Sequence, residues 1–193
     1  MNEKLLQSRR RSMRLKEFNY AISGAYFVTI VTQGRSCLFG NIIDDQMQLN
    51  SAGKVIKRWW SELTRKFTTV ETDQFVVMPK HCHGIIVLAD SIVGADLCVG
   101  PPDNRTGAHA GAPLPTVMQW FKTMTTNEYI RGAKRLGWPP FQGQLWQRSY
   151  FEHVIRDDES LTQIRQYIID NPARWAFDHE NPAMIADKRD LAY

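Results

Sequence analysis

Asp73–Met78 (DQFVVM) and His81–Leu88 (HCHGIIVL) are two strand-like runs separated only by Pro79 and Lys80. Bounded by a proline break and rich in β-branched residues, they read as neighbouring antiparallel strands. Successive strand side chains alternate between faces, so His81 and His83 leave one face roughly 7 Å apart while Cys82 points the other way, into the core. Two imidazoles so placed can share a metal ion. The same pair can equally end a strand and meet water, because a bare His-x-His is a weak motif.

Working outward, Ala25–Thr32 (AYFVTIVT), flanked by Gly24 and Gly34, predicts a strand. Ser51 to Lys66 predicts a helix, with Ser51 as N-cap and Val55, Ile56, Trp59, Trp60 and Leu63 in helical spacing. The segment 89–115 holds four glycines and four prolines and reads as a flexible insertion. Thr116 to about Arg135 predicts a second helix, Leu145 to Arg156 (LWQRSYFEHVIR) a fourth strand, and Glu159 to Asp170 a last helix, capped by Asp157 or Asp158 and ended by Asn171-Pro172. The order βα(ββ)αβα, without internal repeat, predicts an α+β fold: a small, mainly antiparallel sheet with helices on it.

The chain has 193 residues, 43% hydrophobic and 23% charged, as expected of one globular domain able to bury a core without covalent staples. Cys37, Cys82 and Cys98 are too few and too scattered for a disulfide framework, which points to a reducing, cytoplasmic setting. The longest apolar stretch, around Gly84 to Ala89, is far short of the roughly 20 residues that cross a bilayer, so no membrane span is expected. The net charge of +4 is concentrated in residues 1–20, where Arg9, Arg10, Arg11, Arg14 and Lys16 contribute to a basic arm. A second basic stretch, Thr116 to Tyr150, carries Lys122, Arg131, Lys134, Arg135 and Arg148 against Glu128. Two basic patches on a neutral body suit a polyanion such as DNA, although solvated surface runs of this size are common. The organisation expected is a basic arm over 1–20, one domain over 21–175, and a polar tail over 176–193.

On the last helix Tyr167 and Asn171 stand at i and i+4, on one face. Phenol and carboxamide form a candidate nucleophile and ligand, but a helix tyrosine also packs its ring, and Asn before Pro also closes helices. A free phenol, with pKa near 10, is only about 0.1% ionised at pH 7, so a nucleophilic role requires a nearby cation. Tyr26, Tyr129 and Tyr150 are rival nucleophiles on chemistry alone.

The run Phe75–Leu88 (FVVMPKHCHGIIVL) resembles the His-hydrophobic-His segment of HUH endonucleases. Trp146–Arg156 (WQRSYFEHVIR) followed by Gln166–Pro172 (QYIIDNP) resembles the REP-associated tyrosine transposases, relatives of single-tyrosine insertion-sequence transposases. The opening, Arg10 to Gly40, is similar to the same group. The resemblance covers about residues 10–175 apart from the insertion, with its blocks in the expected order. It implies a ferredoxin-like sheet bearing the histidines, with the tyrosine helix packed on it. It maps the metal ligands onto His81 and His83, the nucleophile onto Tyr167 and a third, amide ligand onto Asn171, where better-known insertion-sequence relatives carry the longer Gln. No role follows for His153.

The chemistry so implied is metal-dependent cleavage and rejoining of single-stranded or hairpin DNA through a 5′-phosphotyrosine, by a monomer or homodimer. Mg²⁺ or Mn²⁺ is the expected cofactor, although two imidazoles alone equally hold zinc. Two other functions fit the same residues: a non-catalytic hairpin-DNA-binding protein, and a metal-dependent phosphodiesterase using activated water.

Overall fold

Strand β1 (Gly24–Val31) buries side chains on both of its faces, which explains why the sequence is apolar almost throughout it. The structure, a computed structural model, describes residues 23–89, 111–177 and 181. The expected arm 1–20, most of the insertion 89–115 and the tail apart from Ala176, Phe177 and Asn181 lie outside the described residues.

Beside β1 run β5 (His81–Leu88) and β6 (Phe151–Ile155), and β4 (Val70–Val77) flanks β5; every pairing is antiparallel, in the order β4-β5-β1-β6. Helices α1 (Ser51–Ser61) and α3 (Leu114–Leu136) each join two strands of this sheet. This is a ferredoxin-like β-α-β-β-α-β core, followed by helix α4 (Asp158–Arg174).

The sheet separates two apolar clusters. Tyr26, Val28, Ile30, Cys82, Ile86 and Leu88 face α1 and α3. Phe27, Ile85 and Ile155 face α4 through Ile164 and Ile168. Cys82 is therefore a core residue, its thiol pKa pushed up by burial. Gly84 serves the first cluster by close approach: a Cβ there would stand 2.3 Å from Cζ2 of Trp60, whose ring stacks on Phe75 at 4.2 Å and 7°.

Several boundaries differ from those read in sequence. Asn50, not Ser51, caps α1, its Oδ1 accepting from the Gly53 amide at 2.9 Å. The helix breaks at Glu62 before a short α2 (Leu63–Lys66). A hairpin, β2 (Gly40–Ile43) with β3 (Gln46–Leu49), adds to the expected order, turning through Asp44 and Asp45, both at positive φ. Helix α3 starts at Leu114, because Pro115 fits a first turn whose amides need no partner. The strand expected over 145–156 shrinks to β6: Trp146 makes an isolated bridge to Thr32, and Lys122 Nζ then donates to the carbonyls of Gln147, Arg148 and Ser149 in a loop. Finally, α4 runs through Asn171-Pro172 to Arg174, its last turn held by the burial of Asn171 and Trp175. No helix among the described residues is long and apolar enough to cross a membrane.

Candidate active site

Strand β5 turns His81 and His83 toward the face that α4 covers, and the ring centroids lie 4.6 Å apart at 65°. Register explains how His83 is held. It stands directly opposite Thr29 of β1, and its Nδ1 lies 2.8 Å from Thr29 Oγ1. Phe27, two residues away on the same face of β1, stacks on the imidazole at 5.5 Å and 21°. Burial, and then the proximity of His81, keep the His83 pKa well below its ordinary value. His83 is thus a neutral imidazole around neutral pH, the form that ligates metals.

Helix α4 presents Tyr167 and Asn171 one turn apart, and the following short 3₁₀ helix (Trp175–Phe177) adds Trp175 one turn further. The Tyr167 ring lies 5.4 Å from that of His83 and 5.9 Å from that of Phe27. Trp175 lies 5.9 Å from His81. Between these two contacts Asn171 is only 5% exposed, and its Oδ1 has no hydrogen-bond partner. A buried amide oxygen left in this state costs about 1–3 kcal/mol, a burden that a ligand would relieve. Tyr167, by contrast, is 39% exposed.

An ion pair fixes α4 to the edge of the sheet. Arg165 Nε donates to Asp73 Oδ2 at 2.9 Å, and a second guanidinium nitrogen reaches the same oxygen. Asp73 lies where the β4 register shifts against β5, between Thr72 and Phe75. The Arg165 bond holds the Asp73 carboxyl below its usual pKa.

The rival tyrosines lie elsewhere. Tyr26 and Tyr129 are buried in the cluster on the other face of the sheet, Tyr129 donating to the Pro139 carbonyl at 2.9 Å, and Tyr150 packs against that cluster. Of the basic residues, Arg9, Arg10, Arg11, Arg14 and Lys16 lie outside the described residues. Lys122 is turned inward on the three carbonyls of the 147–149 loop and over the Tyr150 ring. Arg131 pairs with Glu128 at 3.5 Å and is exposed, as are Lys134, Arg135 and Arg148. Helix α3, which carries Arg131, Lys134 and Arg135, lies across the sheet from the histidines.

No protein-family model matches the chain. It is 37% identical over 177 residues to an uncharacterized protein of Haemophilus influenzae, a match spanning 88% of this chain and 91% of that one. The two belong to one family. In fold, the chain is similar to the solved structure of a REP-associated tyrosine transposase bound to a REP hairpin, at a TM-score of 0.53 and 18% identity, over 84% of this chain and 74% of the other. At that identity the likeness is one of fold: a four-stranded antiparallel sheet with helices packed on it.

In this member of the family, three residues at the site escaped the reading of its sequence: Phe27, Thr29 and Trp175. A second feature also escaped it. A cavity of about 470 Å³ between α1 and β4 is lined by Lys54, Lys57 and Arg58, so basic groups gather on α1 as well as α3. Of the three residues, Trp175 has a sequence signal that could have found it, its helical spacing from Tyr167 and Asn171.

Proposed function

We propose that the chain is a metal-dependent endonuclease and strand transferase acting on single-stranded DNA beside a hairpin. The observation that carries this reading is the meeting, on one face of one chain, of two imidazoles 4.6 Å apart with a phenol ring 5.4 Å from His83. The transposase fold supports it, and the hairpin bound to that fold neighbour supplies the substrate class.

His81, His83 and Asn171 would hold Mg²⁺ or Mn²⁺. The donor set fits: a neutral buried imidazole, a second imidazole beside it, and a buried amide oxygen without a partner. Such a cation, when bound, acts as a Lewis acid on a phosphoryl oxygen. The protein's own part is nucleophilic. Tyr167 Oη bonds to phosphorus as the P–O3′ bond breaks; the phenol loses its proton and the departing 3′ oxygen gains one. A 5′-phosphotyrosine and a free 3′-hydroxyl result, one phosphoester replacing another. An incoming 3′-hydroxyl reverses the exchange without an external energy source. The partial exposure of Tyr167 admits the strand, and Phe27, set edge-on to it, limits the ring's travel.

Phosphate contacts are assigned to the basic arm and to Arg131, Lys134, Arg135 and Arg148, with salt-sensitive affinity as the consequence. The test is incubation with a hairpin oligonucleotide whose cleavage releases a short fragment that diffuses away, with Mn²⁺ present. Wild-type protein should become covalently attached, and Tyr167→Phe should not. Cleavage by Tyr167→Phe without attachment would instead favour an activated-water phosphodiesterase, and binding without cleavage by the wild type a non-catalytic DNA-binding protein.

A further inference from the structure

Thr29 is the one polar residue on the site face of β1, where Ala25, Phe27 and Val31 are its companions. A hydroxyl in an otherwise apolar row has to find a hydrogen-bond partner or face water. Thr29 is half-buried, and its Oγ1 lies 2.8 Å from His83 Nδ1. The two residues form a direct cross-strand pair, the arrangement in which Cβ atoms come closest, and the branched Cβ of threonine narrows its choice of χ1. Phe27 stacks on the same imidazole. One contact therefore fixes the edge of the His83 ring and the other its plane.

A neutral imidazole carries one proton, so whatever sits on Nδ1 determines the state of Nε2. If Nδ1–H donates to Thr29 Oγ1, Nε2 keeps its lone pair. If the threonine hydroxyl donates to Nδ1, the proton moves to Nε2 and that nitrogen cannot ligate. We propose that Thr29 is a positioning residue whose hydroxyl accepts the Nδ1–H of His83, fixing the tautomer that presents Nε2 to a divalent cation. The assignment rests on the proposed function for its cation, but the tautomer is a property of the metal-free protein. Thr29 acts only through His83 and touches no reacting atom.

The experiment uses the full chain as wild type, Thr29→Val, which keeps the shape and removes the hydroxyl, and Thr29→Ser, which restores it. Long-range nitrogen–proton correlation spectra of the metal-free proteins report which ring nitrogen of His83 is protonated, and titration with Mn²⁺ alone reports affinity. Wild type should carry the proton on Nδ1. Thr29→Val should lose that preference and bind Mn²⁺ about 10- to 100-fold more weakly, with Thr29→Ser close to wild type. A wild-type proton on Nε2, or a valine variant unchanged in both tautomer and affinity, overturns the proposal. An Nδ1 proton lost in Thr29→Val from a protein that takes up no Mn²⁺ supports the positioning role while removing the metal reading itself.

Discussion

The ring of Tyr167 stands 5.4 Å, centroid to centroid, from the ring of His83, and both residues belong to one chain. Helix α4 achieves this by packing Ile164 and Ile168 on the sheet that carries the histidines, so the three proposed chemical groups assemble without a second subunit. Apolar packing sets the distance, and polar side chains occupy the end of the same interface.

Removing either imidazole should separate chemistry from binding. His81→Ala and His83→Ala are each expected to lower Mn²⁺-dependent cleavage on the order of 10³-fold, equivalent to several kcal/mol of lost charge stabilisation. Hairpin affinity, measured by fluorescence anisotropy, should stay within a few-fold of wild type. A parallel collapse of affinity would assign the histidines a structural role.

Asn171 should trade stability against metal. Its buried Oδ1 lacks a partner, so Asn171→Leu is expected to leave the metal-free protein as stable as wild type or about 1–3 kcal/mol more stable in denaturant melts. The same variant should weaken Mn²⁺ binding. A large loss of stability would show that the amide works as a structural group.

The Arg165–Asp73 pair should make the seat of α4 sensitive to acid. Because the folded-state pKa of Asp73 is lowered, its contribution is present above the ordinary carboxylate pKa, near 4, and disappears as pH falls through the folded value. Asp73→Asn should therefore destabilise the fold at pH 6 and converge on wild type as the pH falls below the ordinary carboxylate range, as followed by circular dichroism. A constant difference across this range would contradict the assignment.

Gly84 should tolerate no side chain. Gly84→Val places new atoms against the Trp60 ring and the Phe75 ring packed on it, and should cost about 1–3 kcal/mol or more in urea unfolding. A variant of unchanged stability would mean that Trp60 has room to move.

Much of this arrangement was legible in the sequence, for reasons that differ by element. HCHGIIVL is buried on both faces and reads as a strand wherever it sits, so His81–Leu88 was assigned to the residue. The β2–β3 hairpin was missed because its strands are short and half exposed, leaving only the Asp44-Asp45 turn as a signal. The shortened β6 has a tertiary cause, the hold of Lys122 on the 147–149 loop, which no local pattern encodes. The i, i+4 relation of Tyr167 and Asn171 needed only helix geometry. Thr29 could not be found in this way, since its pairing with His83 is a matter of register between strands far apart in the chain.

The most direct measurement is the site of DNA attachment. After reaction with the hairpin oligonucleotide and digestion by nuclease and trypsin, mass spectrometry should find a nucleotide on the peptide Gln166–Arg174 (QYIIDNPAR), bonded through Tyr167. A nucleotide on a peptide bearing Tyr26, Tyr129 or Tyr150, or cleaved DNA with every tyrosine unmodified, would contradict the account.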